Sequence, residues 1–380
     1  MAQIFVPKEI RELEKRVAAT PETVKKLVKA GFAVAVERGA GASAFISDAA
    51  FEEAGATLAD DAAAGYGKAK IIFKVDAPLE SEISMIPEGA ILVTHLVPSN
   101  ELDLVKQLCA RKISTISMNL VPRITIAQKM DSLSSQASIA GYKAVLLGAN
   151  TLGKYFPLLM TAAGTITPAK VVILGAGVAG LQAIATARRL GALVEVSDVR
   201  PVVKEQVESL GAKFIMVETD EVMEDQGGYA KEQSEDFLRR QREEVGKRMA
   251  QADVVITTAL IPGRPAPVLI DEAIVKQMNP GSVIVDLAVQ QGGNCELSEP
   301  GKTVEKHGVT IIGELNIPSM MQIHASQLYA RNLLNLATHL AKEGEIVIDL
   351  EEPVTDGALL IHDGAVRHEP TKKLLDEGGN

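Results

Sequence analysis

A glycine-rich hexapeptide, GAGVAG at residues 175–180, has the spacing of a phosphate-binding turn. It follows the apolar run VVIL and precedes the helix-like stretch LQAIATARRL. In such a turn the first glycine permits the tight bend, the third residue lets the backbone approach a pyrophosphate, and the sixth lets helix and strand pack closely. The backbone N–H groups at the helix start would face the phosphates, so the pattern indicates dinucleotide binding.

A carboxylate follows at the distance that such a site needs. Asp198 ends the next strand-like run, LVEVSD, 18 residues after Gly180. A carboxylate in this place accepts hydrogen bonds from an adenosine ribose and repels a 2′-phosphate. The pattern therefore favours NAD(H) over NADP(H), although the neighbouring Arg200 could accommodate a 2′-phosphate.

A second polar stretch, RITIAQKMDSLSSQ, occupies residues 123–136. Apolar residues recur there at intervals of 4, 3 and 4 positions: Ile126, Met130, Leu133 and Ala137. This spacing predicts an amphipathic helix over 123–149 whose other side carries Gln128, Asp131 and Ser135. From the residues alone, that side is either an ordinary solvated face or part of a site.

The elements around these motifs predict an α/β fold of two Rossmann-like domains with parallel sheets, joined by two long helices. Runs rich in β-branched residues alternate with helix-like runs over the first 120 residues and again from residue 169. We expect an N-terminal domain over 1–125 completed by 319–380, a linking helix over 126–149, and a Rossmann domain over 150–318. A long helix is expected at 319–342, a hairpin or two short strands in the tail, and a ligand-binding cleft between the domains.

Composition excludes several classes of protein. The formal net charge of −10 argues against binding to nucleic acid or directly to anionic lipid. Cys109 and Cys295 lie far apart without other ligands nearby, so no metal site is predicted. The most apolar window, residues 144–164, contains Lys154, Pro157 and three glycines, so no direct membrane insertion is expected. The charged start of the chain does not have the pattern of a signal peptide.

Several longer stretches together resemble the NAD(H)-binding soluble domain, or alpha-1 subunit, of proton-translocating transhydrogenases. They are SDVRPVVKEQVESLGAKF, GGYAKE, TTALIPGRPAP, DLAVQQGGNCELSEPG and RITIAQKMDSLSSQASIAGYKAV, together with the glycine turn. The resemblance covers nearly the whole chain. It implies Re/Si-specific hydride transfer between NAD(H) bound here and NADP(H) bound on a partner domain, coupled to proton translocation by a membrane subunit. It also implies a homodimer, with the helix at 319–342 as a contact, and a cytoplasmic location at the inner face of the cell membrane.

The resemblance also implies roles for individual residues. Arg123, Gln128, Asp131 and Ser134 would surround the nicotinamide and its ribose, and the first three are predicted to be catalytic by holding the ring, without acting as acid or base. Gly228 and Tyr229 match a mobile loop of the family. The further predicted cofactor-binding residues are Gly175, Ala176, Gly177, Val178, Ala179, Gly180, Asp198, Val199, Arg200, Thr258, Ala259 and Leu260.

Two alternatives stay open. The architecture also resembles alanine dehydrogenase, in which Arg16 would hold a substrate carboxylate, Lys74 would contact the carbonyl, and His95 would exchange a proton. The transhydrogenase pattern of residues 123–136 and of the insert at 218–248 weighs against this alternative. The other alternative is an NAD(H)-sensing module without enzymatic turnover.

Overall fold

The computed structural model describes residues 2–216, 235–260 and 265–377. The chain forms two compact units. The first unit comprises Met1–Gln136 and Pro318–Asn380, and the second comprises Ala137–Ile317. One unit is therefore built from two distant segments of the sequence and the other from a single segment.

The first segment of the first unit alternates strands and helices. Its strands are β1 (Gln3–Val6), β2 (Ala33–Glu37), β3 (Thr57–Ala59), β4 (Ile71–Phe73), β5 (Ile91–Thr94) and β6 (Ser114–Ser117). Its helices are α1 (Pro21–Lys29), α2 (Asp48–Glu53), α3 (Ala62–Tyr66), α4 (Glu80–Ile83) and α5 (Leu102–Ala110), with 3-10 turns at Ala42–Ala44, Pro98–Asn100 and Thr125–Met130. Helix α6 (Ser132–Thr151) then carries the chain into the second unit.

The second unit repeats the alternation. Its strands are β7 (Leu159–Thr161), β8 (Gly164–Ile166), β9 (Lys170–Leu174), β10 (Leu193–Ser197), β11 (Lys213–Phe214), β12 (Val254–Thr257), β13 (Val283–Asp286), β14 (Lys302–Lys306) and β15 (Val309–Gly313). Its further helices are α7 (Val178–Arg189), α8 (Lys204–Ser209), α9 (Glu235–Ala250) and α10 (Glu272–Val275), with 3-10 turns at Pro201–Val203 and Val289–Gln291.

The last segment completes the first unit. After a 3-10 turn at Ile317–Met321 it contains α11 (Gln322–Leu340), β16 (Ala341–Lys342), β17 (Glu345–Ile346), α12 (Pro353–Ala358), β18 (Leu359–His362), β19 (Ala365–Val366) and α13 (Glu369–Glu377). Strands β18 and β19 form the hairpin expected in the tail. The apolar side of α11, including Tyr329, Leu333 and Leu336, is buried within the first unit. Those side chains are therefore not free for the homodimer contact that the sequence suggested.

Each unit is organised around one large sheet. In the first unit the described strands follow the order β19-β18-β6-β5-β4-β1-β2-β3, with parallel pairing from β6 to β3. In the second unit the described strands of the large sheet follow the order β11-β10-β9-β12-β13-β15-β14, and within this sheet only β14 pairs in the antiparallel sense. The predicted α/β fold class with parallel sheets is confirmed.

Both faces of each sheet are covered. Along β1, Ile4 and Val6 pack in one hydrophobic cluster and Phe5 in another. Along β9, Val171 and Ile173 alternate in the same way with Val172 and Leu174. Because side chains alternate between the faces of a strand, a fully covered strand must be apolar throughout. This is why the sequence runs from which the strands were predicted, such as VVIL, are apolar at every position instead of alternating between apolar and polar residues.

In the second sheet, β9 lies between β10 and β12. From β9 the chain first adds β10 and β11 on one side, and it then adds β12 and β13 on the other side, so the direction of strand order reverses at β9. Ligands of open α/β sheets bind outside the carboxyl ends of the strands at such a reversal. A ligand site is therefore expected at the loops that follow β9, β10 and β12.

Candidate functional site

The glycine turn connects β9 to α7. Gly175 has a φ of +104°, a conformation that L side chains rarely adopt, and its N–H donates to the carbonyl oxygen of Ser197 at 2.8 Å. Gly177 is the N-cap of α7 and offers no side chain to the amides of the first turn. A Cβ on Gly180 would collide with the carbonyl oxygen of Gly175. The turn therefore needs glycine at its first and last positions for reasons of backbone geometry.

Asp198 binds directly to this turn. Its Oδ2 accepts a hydrogen bond from the Ala176 amide at 2.7 Å, and its Oδ1 accepts one from the Arg200 amide at 2.8 Å. The Arg200 guanidinium donates to both carboxylate oxygens at 3.0 Å. Partial burial acts to raise the pKa of Asp198, but the hydrogen bonds from Arg200 and Ala176 outweigh it and hold the pKa below its usual range. The carboxylate is thus an ionised acceptor fixed beside the glycine turn, whereas the Val199 side chain is exposed.

The loop after β12 lies against the same turn. The Thr258 hydroxyl donates to the carbonyl oxygens of Leu174 and Gly175, at 3.1 and 3.2 Å. Ala259 is held by the side chain of Asn294, and Leu260 is exposed. The structure thus brings the turn, Asp198, Arg200 and the start of this loop together through direct contacts.

The segment with Arg123, Gln128, Asp131 and Ser134 lies in the first unit, and the helix predicted from residue 123 was wrong at its start. A 3-10 turn at Thr125–Met130 is followed by Asp131 in a non-helical conformation, and α6 begins at Ser132. The Asp131 carboxylate accepts from the Ser134 amide at 2.9 Å and from its hydroxyl at 2.6 Å, as a helix N-cap does.

The predicted apolar stripe of this segment is also wrong. Ile126 is 56% exposed and Leu133 is 37% exposed, whereas Met130 is buried. The structure joins Asp131 to Ser134 and leaves the Arg123 and Gln128 side chains exposed. The predicted loop residues Gly228 and Tyr229 lie outside the described residues, so their role stays a prediction.

The three residues of the alanine dehydrogenase alternative are brought together in the first unit. The His95 ring stacks on Tyr329 with centroids 4.9 Å apart, and the Tyr329 hydroxyl donates to the carbonyl oxygen of Lys74 at 2.7 Å. Burial, reinforced by the charge of Arg16, lowers the pKa of His95 to about 4. The histidine is therefore neutral at physiological pH.

Both cations of this cluster are paired with carboxylates of the chain itself. Arg16 donates to the two oxygens of Glu14 at 2.8 and 2.6 Å and to Gln136 at 2.9 Å. Lys74 is fully buried between Glu9 and Glu82, at 3.0 and 2.7 Å. Burial raises the pKa of Glu9 to about 7, against the opposing charge of Lys74. In this structure, neither cation is available to a substrate carboxylate.

Two fully buried polar residues of the second unit were missed by sequence analysis. Asp286 ends β13, and Asn294 contacts the loop after β12. The contacts that join them to the end of β12 and to the segment after it span 27 to 35 residues of sequence, so no spacing pattern indicates these contacts. Among the described residues, no helix is long and apolar enough to span a bilayer, and no group of three or more His, Cys, Asp or Glu side chains could ligate a metal.

Two family models match the chain. One is described as "Alanine dehydrogenase/PNT, N-terminal domain" and matches residues 5–140. The other, "Alanine dehydrogenase/PNT, C-terminal domain", matches residues 144–369 and carries the glycine turn and Asp198. The chain therefore belongs to the alanine dehydrogenase/PNT family.

Within that family the chain is similar to transhydrogenase alpha subunits, as the sequence motifs predicted. The first part of the NAD(P) transhydrogenase alpha subunit of Rhodospirillum rubrum is 52% identical over 376 residues, which cover 96% of this chain and 98% of that protein. The solved structure of a transhydrogenase from Sinorhizobium meliloti has a TM-score of 0.88 and 44% identity, covering 96% of this chain and 99% of that one. "Alanine dehydrogenase" of Methanococcus maripaludis is 32% identical over 381 residues, covering 98% and 96% of the two chains. The predicted resemblance is confirmed.

Proposed function

We propose that this chain is the NAD(H)-binding subunit of a proton-translocating transhydrogenase. NAD(H) bound here would exchange a hydride with NADP(H) on a partner domain, and a membrane subunit would couple the exchange to proton movement. The observation that carries the proposal is the 2.7 Å hydrogen bond between Asp198 and the Ala176 amide, which fixes an anionic ribose acceptor beside a phosphate-binding turn. The alpha-subunit relatives support the choice of reaction.

The residues of the second unit fit a dinucleotide. A Cβ on Gly177 would meet no atom within 4 Å, so there is open space at the helix start. The amides of the first turn of α7 receive no side-chain cap and can bind a pyrophosphate instead. The ionised Asp198 accepts hydrogen bonds from ribose hydroxyls and repels a 2′-phosphate. Specificity for NAD(H) would follow from this one charge.

The residues predicted in the segment 123–134 would hold the nicotinamide end of NAD(H). Bound NAD(H) supplies the hydride, and the transfer itself moves no proton through the protein. The exposed amide of Gln128 can hold a carboxamide, and Arg123 can bind a neighbouring oxygen. Asp131, already fixed by Ser134, offers an oriented acceptor for a ribose hydroxyl. Their task is to fix the ring and exclude water, which raises the rate without acid–base chemistry.

Isotope transfer tests this proposal. The purified protein is mixed with an NADP(H)-binding partner domain, NADP+ and NADH that carries deuterium at C4. Deuterium is expected in the NADPH product, as measured by mass spectrometry. Tight NADH binding without any labelled NADPH would reject the enzyme and favour the sensing module.

As a subunit of such a complex, the chain would lie at the inner face of the cell membrane, held there by the membrane subunit.

Oxidative deamination is the second candidate because Arg16, Lys74 and His95 do cluster. The pairing of both cations with Glu14, Glu9 and Glu82 weighs against it, since a substrate carboxylate would have to displace a buried carboxylate of the chain. The protein alone, supplied with NAD+ and alanine or with NADH, ammonia and pyruvate, is expected to show no change in absorbance at the NADH band.

Replacement of Gln128 with asparagine is expected to slow hydride transfer roughly 10- to 100-fold, because a contact shortened by one methylene misplaces the ring. The affinity for NADH should stay within about threefold, since the turn and Asp198 hold the other end of the cofactor. Single-turnover transfer and calorimetric titration measure the two effects. Gln251→Asn, an exposed glutamine elsewhere, serves as the control. A wild-type transfer rate would remove Gln128 from the site.

We also propose a homodimer, with the hairpin of β7 and β8 as the contact. This hairpin pairs only with itself among the described strands, and its region exposes Tyr155, Leu158 and Met160, the last at 81%. An isolated hairpin is marginal on its own, and exposed apolar side chains of this density mark a contact surface. A second copy of the chain would cover it.

Met160→Lys is expected to weaken the dimer, because the substitution would bury a charge in an apolar contact. Light scattering after size exclusion should show the wild-type protein at twice its 40.4 kDa chain mass and the variant shifted toward one chain mass. Phe45→Lys, at a side chain 76% exposed in the first unit, is the matched control. An unchanged mass for Met160→Lys would exclude the hairpin.

A further inference from the structure

Asn294 is a buried amide whose side chain is satisfied by two segments of backbone. Its Nδ2 donates to the carbonyl oxygens of Ala259, at 2.9 Å, and Pro267, at 2.8 Å. Its Oδ1 accepts from the Ala259 amide at 3.1 Å. The side chain is fully buried. One amide therefore binds both polar groups of Ala259 and fixes the far end of the same loop.

Asn294 is itself held in place by Asp286. The buried Asp286 carboxylate accepts from the Cys295 amide at 3.0 Å and from the Ser298 hydroxyl at 2.7 Å. It also accepts from the Ala288 amide and from the Thr257 hydroxyl, both at 2.9 Å. Four donors thus converge on one carboxylate at the end of β13. They fix the segment that carries Asn294 to the end of β12, where the loop begins.

The near end of the loop rests on the glycine turn. The Thr258 hydroxyl donates to the carbonyl oxygens of Leu174 and Gly175, and Ala259 follows immediately. Asp286 is thus connected to the turn through hydrogen bonds and chain neighbours. Asp286 binds the amide of Cys295, and the preceding residue, Asn294, binds Ala259. The residue before Ala259, Thr258, binds the turn. Thr258 and Ala259 are bound through their backbone groups, and Asn294 and Asp286 are buried, so the backbone at Thr258 and Ala259 has little freedom to shift.

We propose that Asn294 is a positioning residue for hydride transfer: it sets the backbone of Thr258–Leu260, against which the nicotinamide end of the bound cofactor is oriented. This inference rests on the proposed function. Asn294 itself does not touch the cofactor in this scheme. It acts through Ala259, whose N–H and C=O it holds in one orientation.

The chemistry of the contact requires an amide. Asparagine presents a donor pair and an acceptor at one end, which matches two carbonyl oxygens and one N–H. A carboxylate of the same shape keeps the acceptor but places negative charge against the carbonyl oxygens of Ala259 and Pro267. Alanine leaves three partly buried backbone groups, the N–H and C=O of Ala259 and the C=O of Pro267, without this partner. The loop should move in either variant, while the glycine turn and Asp198 keep their geometry.

The test measures NADH affinity and hydride transfer separately in the full-length protein. For Asn294→Ala, single-turnover transfer to NADP+ on the partner domain is expected to fall at least roughly tenfold, while NADH affinity changes less than about threefold. Asn279→Ala, an exposed asparagine of the same unit, should leave both unchanged. Asn294→Ser, which keeps a small polar group, provides the measurement if the alanine variant fails to fold.

Asn294→Asp adds a readout that a purely structural role would not move. Once protonated, the introduced carboxyl can donate to a carbonyl oxygen. The ratio of the variant's transfer rate to the wild-type rate, measured at the same pH, should therefore rise as the pH falls. A transfer rate within twofold of wild type in the alanine or serine variant overturns the proposal, as does a loss of NADH affinity equal to the loss of rate. If the wild-type protein itself transfers no hydride, the proposed function fails instead.

Discussion

Gly180→Ala is expected to abolish NADH binding at micromolar protein concentrations and to destabilise the second unit. The new Cβ would collide with the Gly175 carbonyl oxygen, a backbone atom that cannot rotate away. Helix α7 must therefore shift from β9, at a cost of about 1–3 kcal/mol in the free energy of unfolding. The shift also moves the amides of the first helical turn, and each lost hydrogen bond to a charged phosphate costs ~1.5–3 kcal/mol, or about 10- to 100-fold in affinity.

Urea unfolding and calorimetric titration with NADH measure the two effects. Gly246→Ala is the control for stability, because this glycine lies within α9 and a Cβ there meets no atom within 4 Å. That substitution should leave binding unchanged and stabilise the protein by up to ~1 kcal/mol. Wild-type affinity in Gly180→Ala would mean that the cofactor does not bind at this turn.

Asp198→Ala is expected to lower NADH affinity about 10- to 100-fold and to remove the preference for NADH over NADPH. The carboxylate would no longer accept from the ribose hydroxyls, and the loss of a charged hydrogen bond costs ~1.5–3 kcal/mol. The substitution also frees the Arg200 guanidinium, which now donates to both Asp198 oxygens. A free guanidinium can bind a 2′-phosphate, so NADPH should bind more tightly than it does to the wild-type protein.

Titration of both nucleotides against both proteins checks this expectation. Asp198→Asn keeps one acceptor for the Ala176 amide and removes only the charge, so it separates the geometry of the turn from electrostatic repulsion. If NADPH gained no affinity in either variant, discrimination between the two cofactors would not depend on this charge.

The glycine turn was predictable from sequence because its requirements are local. A φ of +104° at Gly175 and the contact of Gly180 with the Gly175 carbonyl oxygen lie within six residues and admit only glycine. The fold class was predictable for a related reason. Strands such as VVIL are covered on both faces, and continuous β-branched runs are the consequence of that burial.

The start of α6 was not predictable from periodicity. The apolar spacing from Ile126 to Ala137 fits a helix, yet Ile126 and Leu133 are exposed, and Asp131 begins a new helix through its hydrogen bonds to Ser134. The local hydrogen bonds from Ser134 to the Asp131 carboxylate outweighed the hydrophobic spacing. An aspartate commonly caps a helix by accepting from the backbone amide three residues later. The sequence contained the signal, but the hydrophobic spacing pointed elsewhere.

The remaining features depend on contacts between distant residues. Asn294 binds Ala259 and Pro267, which precede it by 35 and 27 residues. Lys74 was singled out as a cation, but its pairing with Glu9, 65 residues earlier in the sequence, emerges only when the first unit is assembled. No single-sequence pattern encodes which buried carboxylate meets which buried cation.

The division of the first unit between two segments has a consequence for biosynthesis. Chains fold as domains while they leave the ribosome, from the N-terminus onward. Here residues 137–317 emerge complete, but the sheet that began with β1 must wait for β18 to pair with β6 and for α11 to cover its apolar face. The earliest residues to be translated therefore finish folding last, and for most of translation their buried carboxylates and cations face water or a chaperone instead of one another.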